Sequence, residues 1–309
     1  MADTEGRCVL FAGQSVQTTG MGLELWKLKP AREILERLKP SLGEDLEAVT
    51  TVMPEAELAL TFNAQRAIHA CHLGHWFAYK ALKPSADPSG AIGHSMGVVA
   101  ALVAAGALTV EESGAFMRAR AQAFSDVCKT FPEPMGLAAV ATDDLQDVLD
   151  ELPHFPGVSL ALRNTVGRGT LGGTAAALEA FARRAQDEDW PVKVTVLKVE
   201  GPYHTSAFEP CLPALEKAAA GLDLKAPRVP VYMGTSGKRE DDPARIRQLL
   251  ARQAASPELH LEAVRAAHAD GRRSFVEVSH KPQPVTWLRD QLPEGAYDAK
   301  AVTTAELAA

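Results

Sequence analysis

The stretch Gly93-His94-Ser95-Met96-Gly97 decides the fold of this chain, because it is typical of a serine held at a sharp strand-to-helix turn. The apolar pair Ala91-Ile92 precedes it, and the valine- and alanine-rich run 98–105 follows as a predicted buried helix. The flanking glycines allow close backbone approach, and the helix N-terminus favours developing negative charge. A serine that only caps a buried helix is the alternative. The apolar strand and helix on either side favour a catalytic Ser95.

The composition of the 309-residue chain is that of an ordinary globular protein, with 46% apolar and 23% charged residues. That length is enough for one large α/β domain with an inserted subdomain. The formal net charge of −7 argues against general nucleic-acid binding, which needs a basic surface. A negative net charge still leaves room for a local basic patch, which an acidic partner would require.

The cysteines and the N-terminus bear on where the protein acts. Four cysteines are far apart in the sequence and form no CxxC pair, namely Cys8, Cys71, Cys128 and Cys211. This usage is typical of a reduced, cytoplasmic protein. The first seven residues are acidic and the apolar run after them ends at Gly13, so we expect no signal peptide. No window reaches transmembrane length, so we expect no membrane contact.

Strand and helix signals alternate along the chain, as in α/β proteins. Apolar strands are predicted at 8–11, 229–232 and 274–278, and helices at 30–40, 63–81 and near 111–127.

The segment between Pro132-Glu133-Pro134 and Gly201 has its own order of strand, helix, strand, turn or strand, helix, strand. This order is typical of a ferredoxin-like unit. The sequence therefore predicts an α/β fold with two subdomains. The large one is α/β-hydrolase-like with a central, mainly parallel sheet (1–128 and 200–309), and the inserted one is small and ferredoxin-like (129–199).

A catalytic serine needs a base, and His204 has a suitable position among the nine histidines. It follows an apolar strand in a rigid Gly-Pro turn, where α/β proteins place catalytic side chains. His94, inside the turn, is expected to pack beside the serine. His69, His72 and His75 share one predicted helix at spacings that also fit metal ligands. Buried helix histidines are the simpler interpretation, and we expect no metal.

Seven short motifs follow the order and spacing of one known enzyme family. They are Phe11–Gly22 (FAGQSVQTTGMG), Leu60–Gln65 (LTFNAQ), Gly93–Gly97 (GHSMG), Gly201–Thr205 (GPYHT), Arg252-Gln253, Ser256-Pro257 and Phe275–Val278 (FVEV). In addition, Asn164 and Gly173 match the ends of a segment in the small subdomain. The chain resembles the malonyl-CoA:acyl-carrier-protein transacylases, the discrete acyltransferases of fatty acid and polyketide synthesis.

The resemblance implies a ping-pong mechanism in which Ser95 attacks an acyl thioester and His204 acts as general base and then general acid. The backbone carbonyl of Gln253 would orient the histidine, and the backbone N–H groups of Gln14 and Met96 would form the oxyanion hole. Coenzyme A would leave, and the phosphopantetheine thiol of an acyl carrier protein would take the acyl group. The coenzyme A thioester is a substrate, and no separate cofactor is expected. The remaining candidates for the pocket are Gln65, His94, Asn164 and His280.

The resemblance also assigns the carboxylate of the malonyl group to Arg120, which lies 25 residues after Ser95. Helical periodicity supports this assignment, because Arg120 shares an apolar face with Phe116 and Phe124, whereas Arg118 lies about 200° away on the polar side. An arginine on a core face needs a partner, and a carboxylate accepts from it bidentately. An internal salt bridge or a snorkelling side chain is the alternative.

Three departures from the family pattern leave the exact reaction open. Ser15 replaces a glycine beside the expected oxyanion hole, Val98 replaces a common glutamate, and Ser279-His280-Lys281 replaces a GPG triplet. They are compatible with an acyltransferase for malonyl or another acyl group, or with an acyl-thioester hydrolase. Arg120 argues against the hydrolase, because proofreading hydrolases of this fold tend to lack it.

Two readings from other classes fit less well. A true α/β-hydrolase needs an acidic residue between the serine and a late histidine, and a ferredoxin-like insertion does not suit it. A non-catalytic carrier-binding protein would not need Ser95, His204 and Arg120 together.

Overall fold

The computed structural model describes residues 6–309, which fold around two β-sheets. Residues 1–5 lie outside the described residues. They belong to the acidic N-terminal segment in which we expect no signal peptide. The strands in chain order are β1 (Cys8–Phe11), β2 (Gly90–Gly93), β3 (Met135–Thr142), β4 (Val158–Arg163), β5 (Arg168–Thr174), β6 (Val192–Val196), β7 (Val231–Met233), β8 (Lys238–Glu240), β9 (Glu258–Leu259), β10 (Ser274–Val278) and β11 (Asp298–Val302).

The helices cover both faces of the larger sheet or pack on the smaller one. They are α1 (Leu23–Lys27), α2 (Lys29–Leu42), α3 (Leu46–Thr51), α4 (Glu55–Leu58), α5 (Thr61–Leu82), α6 (Gly97–Ala104), α7 (Val110–Cys128), α8 (Leu145–Glu151), α9 (Ala175–Asp187), α10 (Leu212–Ala220), α11 (Pro243–Arg252), α12 (His260–Ala269), α13 (Pro284–Trp287) and α14 (Thr304–Ala308). No helix within residues 6–309 is both long and apolar enough to cross a membrane.

The larger sheet has six strands in the order β11-β10-β1-β2-β7-β8. Its neighbours pair in parallel except β8, which runs antiparallel to β7 at one edge. The predicted central, mainly parallel sheet is therefore present. Its middle strands β1 and β2 are fully buried, as expected for short apolar strands with helices on both faces. Strand β2 leads directly into the Gly93–Gly97 turn.

The smaller sheet has the order β6-β3-β5-β4-β9. Its first four strands pair antiparallel, and with α8 and α9 they reproduce the predicted ferredoxin-like order. Strand β9 was not predicted. It comes from the large part of the chain and pairs in parallel with β4, with Leu162 opposite Glu258.

The described residues form three hydrophobic clusters, one of which packs between the larger sheet and α12 and includes Leu10, Ile92 and Val264. A cluster that includes Phe155, Leu171 and Phe181 fills the space between the smaller sheet and its helices. The main core surrounds α5, α6 and α7 beneath the larger sheet. The division into 1–128 with 200–309 and 129–199 stays a proposal, supported by β3 beginning at Met135 and β6 ending at Val196.

Helix α7 positions one of the predicted site residues and begins at a strong N-terminal signal. The Thr109 side chain accepts from the backbone N–H of Glu112, and the Glu112 side chain accepts from that of Thr109. This capping box satisfies orphan donors of the first turn, and such caps typically stabilise a helix by about 1 kcal/mol. The cap fixes the register of α7 and with it the buried face that carries Arg120.

Candidate active site

Ser95 occupies the turn between β2 and α6, in the left-handed backbone region at φ 51°. The turn is tight, since a Cβ added to Gly93 would lie 2.0 Å from the backbone N of Val98. Only 8% of Ser95 is exposed. The strand-to-helix turn predicted from the sequence is therefore present, and β2 and α6 on either side hold Ser95 in its strained backbone conformation.

His204 lies beside the serine, although 109 residues separate the two in sequence. Its Nε2 is 2.7 Å from Ser95 Oγ, and its Nδ1 is 2.9 Å from the backbone O of Gln253. Because a carbonyl only accepts, Nδ1 carries the proton and Nε2 accepts from the serine hydroxyl. Burial, assisted by the charge of Arg120, lowers the pKa of His204 to about 3. The imidazole is thus neutral and able to accept a proton near neutral pH.

Arg120 reaches the same point from α7 and is 2% exposed. Its Nη1 donates to Gln65 Oε1 at 2.6 Å, and its Nη2 donates to Gln253 Oε1 at 3.2 Å and approaches Ser95 Oγ at 3.4 Å. The guanidinium stacks on Phe124, with 4.1 Å from Cζ to the ring centroid.

The salt bridges of residues 6–309 do not include Arg120, so the internal salt bridge considered above is absent there. Burial lowers the pKa of Arg120 to about 10, which still leaves it protonated at neutral pH. Arg118 is exposed on the other side of α7, as the helical phase predicted. A buried cation that donates to the neutral oxygens of Gln65, Gln253 and Ser95 is suited to bind an anionic group from outside.

A cavity of about 580 Å³ opens in front of these three side chains, between the larger and the smaller sheet. The smaller sheet contributes apolar residues to the wall, including Leu137, Ala139 and Leu162. Of the predicted site residues, those that line it besides Ser95, Arg120 and His204 are Gln14, Gln65, His94, Met96 and Asn164. The cavity thus combines apolar side chains of the smaller sheet with polar and charged groups around the serine and at the rim.

Gln14 and Met96, which we expect to form the oxyanion hole, both line the cavity, one in the loop after β1 and one directly after the serine. Next to Gln14, Ser15 has φ 101°, although it replaces the glycine expected at this position. Its backbone N donates to Gln17 Oε1 at 2.8 Å. Ser15 therefore has the backbone conformation that glycine adopts most readily.

His94 packs behind the serine, as expected, and joins the two sheets. Its Nε2 is 2.9 Å from Asn164 Oδ1, and its ring makes edge contacts with Trp287 and His260. Burial lowers the pKa of His94 to about 4. The Asn164 carbonyl accepts from Gln291 Nε2 at 2.6 Å, so a residue at the end of β4 is fixed to the large part of the chain.

His280 does not line the cavity, in contrast to the prediction. Its Nε2 lies 2.7 Å from the backbone O of Val16, and its ring stacks on His75 at 6.2 Å. The chain turns after β10 so that Gln283 reaches the cavity instead. The physical reason is that the backbone O of the buried Val16 offers the His280 ring a hydrogen-bond partner, which holds this side chain out of the lining.

The histidines of α5 are buried in the protein core. His69 bonds to Ser113, and His75 bonds to Thr304 and to the backbone O of Cys71. His72 packs edge-on against Phe11. Across residues 6–309, no group of three His, Cys, Asp or Glu side chains is arranged to hold a metal ion.

Glu258 lies against the nucleophile turn, beside Ser95, and the sequence analysis did not identify it as a site residue. Its Oε1 accepts from the backbone N–H of Ser95 at 3.1 Å, and the residue is 0% exposed. The only signal in the sequence was a carboxylate directly after the Ser256-Pro257 motif, five positions from Gln253. Nothing in local periodicity indicates that this position meets the serine 163 residues away.

Comparison with known proteins agrees with this geometry. The family model described as acyl transferase domain matches residues 9–308. A malonyl CoA-acyl carrier protein transacylase of Bacillus subtilis (strain 168) is 29% identical over 274 residues, covering 87% of this chain and 85% of that protein. The mitochondrial malonyl-CoA-acyl carrier protein transacylase of Mus musculus is 30% identical over 264 residues, covering 81% and 68%.

Solved structures show the same fold over the whole chain. The malonyl-CoA:acyl carrier protein transacylase of Xanthomonas oryzae pv. oryzae superposes with a TM-score of 0.88 at 28% identity, covering 100% of this chain and 98% of that one. The acyl-carrier-protein S-malonyltransferase of Burkholderia pseudomallei gives a TM-score of 0.87 at 28% identity, with 98% of both chains covered. The chain therefore belongs to the acyl transferase domain family, in its malonyl-CoA:acyl-carrier-protein transacylase group, as its motifs predicted.

Proposed function

We propose that this protein transfers a malonyl group from coenzyme A to the phosphopantetheine thiol of an acyl carrier protein, in fatty acid or polyketide biosynthesis. One observation carries the proposal: the Ser95–His204 pair and the buried Arg120 guanidinium meet within 3.4 Å at one end of a single cavity. A nucleophile, its base and a carboxylate-binding cation are the three groups that malonyl transfer needs. The relatives from Bacillus subtilis and Mus musculus, both malonyl-CoA-acyl carrier protein transacylases, support the same substrate and acceptor.

The first half-reaction forms an acyl-serine. Ser95 Oγ attacks the thioester carbonyl while its proton passes to His204 Nε2, which lies 2.7 Å away. The backbone N–H groups of Gln14 and Met96 stabilise the tetrahedral oxyanion, and such donors typically contribute about 3–4 kcal/mol each. The carbon–sulfur bond then breaks, and coenzyme A leaves as a thiol with the proton held by His204.

The second half-reaction reverses the first with a different thiol. The phosphopantetheine thiol gives its proton to His204 and attacks the acyl-Ser95 carbonyl, and Ser95 leaves with that proton. The Gln253 carbonyl accepts from Nδ1 throughout and holds the ring without an acidic third residue. Each step uses side chains and backbone groups of the chain, so we propose that no cofactor is needed besides the coenzyme A thioester.

We test the nucleophile by intact mass spectrometry after mixing the protein with a panel of acyl-CoAs. Malonyl-CoA is expected to add one malonyl group to the wild-type protein and none to Ser95→Ala. Because Ser95 Oγ is the hydroxyl bonded to His204 Nε2, removing it is expected to abolish the covalent step. Acetyl-CoA in the same panel is the control for acyl selectivity. An adduct that persists in Ser95→Ala would place the nucleophile elsewhere.

An acyl-thioester hydrolase is the second candidate, because an acyl-serine can also react with water. We expect holo-carrier protein to discharge the malonyl-enzyme much faster than water, because Ser95, His204 and Arg120 are all buried and the access of water to the acyl group is limited. The measurement follows loss of the adduct with and without holo-carrier, and apo-carrier without its thiol is the control. Rapid loss to free malonate with no gain from holo-carrier would favour the hydrolase.

We place the reaction in the cytoplasm, where both thiol substrates stay reduced. The four cysteines of the chain are free thiols, which suits a reducing compartment.

A further inference from the structure

Glu258 sits in a site built to hold a carboxyl group against the nucleophile turn. Its Oε1 accepts the Ser95 backbone N–H at 3.1 Å. Gly234, directly after β7, leaves room for it, since a Cβ on that residue would lie 1.8 Å from Oε1. The backbone N of Leu259 bonds to the Gly234 carbonyl at 2.8 Å, which fixes the two segments together. The carboxyl group is thus enclosed by backbone and 0% exposed.

The same carboxyl group is the electrostatic partner of Arg120. Glu258 Oε2 accepts no hydrogen bond within the part of the chain that the structure describes. Burial raises the pKa of Glu258 to about 7, while the Ser95 N–H and the charge of Arg120 act in the opposite direction. Among the charges that raise the pKa of Arg120 against burial, that of Glu258 is the largest. Both groups also contact the same residue: Glu258 accepts from the Ser95 backbone N–H, and Arg120 Nη2 lies 3.4 Å from Ser95 Oγ. A buried carboxyl group and a buried guanidinium therefore flank the nucleophile.

We propose that Glu258 is a positioning and specificity-determining residue: it holds the Ser95 backbone and partly neutralises Arg120, weakening the attraction of Arg120 for an anionic acyl group. The proposal rests on the proposed function, because it concerns how Arg120 binds the malonyl carboxylate. Two effects follow and can be separated. The hydrogen bond to Ser95 needs an acceptor oxygen, whereas the effect on Arg120 needs a negative charge.

The charge effect has a defined direction. The negative charge of an ionised Glu258 offsets part of the positive potential of Arg120. The malonyl carboxylate, which is also negative, is therefore attracted less strongly to this site. A neutral acetyl group does not feel this potential in the same way. Removing the charge is therefore expected to favour malonyl over acetyl by roughly tenfold.

Other titratable groups around the pair do not change charge near neutral pH. Burial lowers the pKa of His94 to about 4, that of His204 to about 3 and that of His260 well below its usual value. Arg120, with its pKa at about 10, stays protonated. Between pH 6 and 8, Glu258 is thus the group of this cluster whose ionisation changes.

The first experiment compares Glu258→Gln with Glu258→Met in malonyl transfer. Gln keeps an oxygen that accepts the Ser95 N–H, whereas Met has similar length and no such acceptor. We expect Glu258→Gln to keep kcat within about threefold and Glu258→Met to lose roughly tenfold or more, because the left-handed Ser95 loses its hydrogen bond. Equal kcat values in the two variants would contradict the positioning role.

The second experiment measures the ratio of malonyl to acetyl kcat/KM from pH 6 to pH 8. In the wild-type protein the ratio is expected to rise as the pH falls, since Glu258 becomes neutral and Arg120 attracts the carboxylate more strongly. Glu258→Gln is expected to give the high ratio at every pH. The pH dependence of the ratio can be measured on the wild-type protein alone, so the test still decides if Glu258→Gln does not fold.

Glu277→Gln is the matched control. Glu277 is also 0% exposed, and burial raises the pKa of its carboxyl group to about 7, but it accepts from the backbone N–H groups of Gln283 and Val285. This variant is expected to keep the pH dependence of the wild-type ratio.

A wild-type protein that malonyl-CoA does not acylate at any pH would contradict both the proposed function and this inference. A malonylated protein whose ratio stays flat with pH and unchanged in Glu258→Gln would contradict only the role of Glu258.

Discussion

At the scale of single residues, the site concentrates backbone strain. Four non-glycine residues among 6–309 have positive φ, and three of them are Ser15, Ser95 and His204. Each such conformation typically costs about 1–3 kcal/mol and persists only where surrounding contacts enforce it. Here the enforcing contacts are hydrogen bonds to Gln17, Glu258 and Gln253. In these backbone conformations, the Ser95 hydroxyl and the His204 imidazole lie within hydrogen-bond distance of each other.

Arg120→Ala is predicted to separate acyl recognition from catalysis. A carboxylate bound bidentately gains roughly 1.5–3 kcal/mol from charge-assisted hydrogen bonds, which is about tenfold to more than a hundredfold in specificity. Malonyl transfer is expected to fall by at least that factor, whereas acetyl transfer falls less, so the relative acetyl rate rises. The measurement is kcat/KM for both acyl-CoAs.

Arg118→Ala is the matched control for this prediction, because Arg118 is exposed on the opposite side of the same helix. It is expected to behave nearly like the wild-type protein. Equal losses for malonyl and acetyl in Arg120→Ala would mean that Arg120 only supports the fold. A malonyl-selective loss in Arg118→Ala would mean that the recognition surface lies on the other face of α7.

At the scale of elements, helix α5 makes the fold sensitive to acid. Burial lowers the pKa of both His69 and His75 to about 3, and that of His72 well below the usual 6.5. Below pH 6.5 the unfolded chain therefore binds protons that the folded chain does not. The stability these neutral histidines contribute is fully present above that pH and is lost as the pH falls.

His72→Leu is predicted to flatten this pH dependence. Each such histidine contributes a slope of about 1.4 kcal/mol per pH unit to the free energy of unfolding once its unfolded form is protonated. Neither ring nitrogen of His72 has a hydrogen-bond partner within residues 6–309, so the substitution removes no bond seen there. Urea unfolding from pH 7 to pH 5 measures the slope, and exposed His154→Gln is the control. An unchanged slope in His72→Leu would show that His72 takes up a proton in the folded state.

The same scale shows what the sequence could and could not predict. Local patterns were sufficient for the turn at Ser95, the phase of α7 and the ferredoxin-like order, because each depends on spacing within a few turns or strands. Strand β9 has only two residues, too short for any periodicity to register. Its pairing with β4 and the contact of Glu258 with Ser95 depend on tertiary packing between distant segments. The prediction that His280 lines the cavity was wrong for the same reason, since its hydrogen-bond partner Val16 is 264 residues away in the sequence.

At the scale of the whole molecule, the charge distribution contrasts with the net charge. The chain has a formal net charge of −7, yet three basic residues, Arg168, Lys193 and Lys198, line the cavity and are exposed. All three lie within residues 129–199, the segment that we propose as the small subdomain. A local basic rim of this kind attracts an acidic partner toward the cavity even when the protein as a whole is acidic.

Lys193→Glu combined with Lys198→Glu is therefore predicted to impair delivery to the carrier protein more than the chemistry. The carrier KM is expected to rise about tenfold or more at low salt, because attraction over a charged surface becomes repulsion, and the effect should shrink as salt screens it. Transfer of the malonyl group from Ser95 to free pantetheine, an uncharged thiol, separates docking from catalysis and should change little. Lys217→Glu, at an exposed position on α10, is the control for added negative charge. Equal losses with carrier and pantetheine would place these lysines in the reaction itself, and no loss with either would place the carrier on another surface.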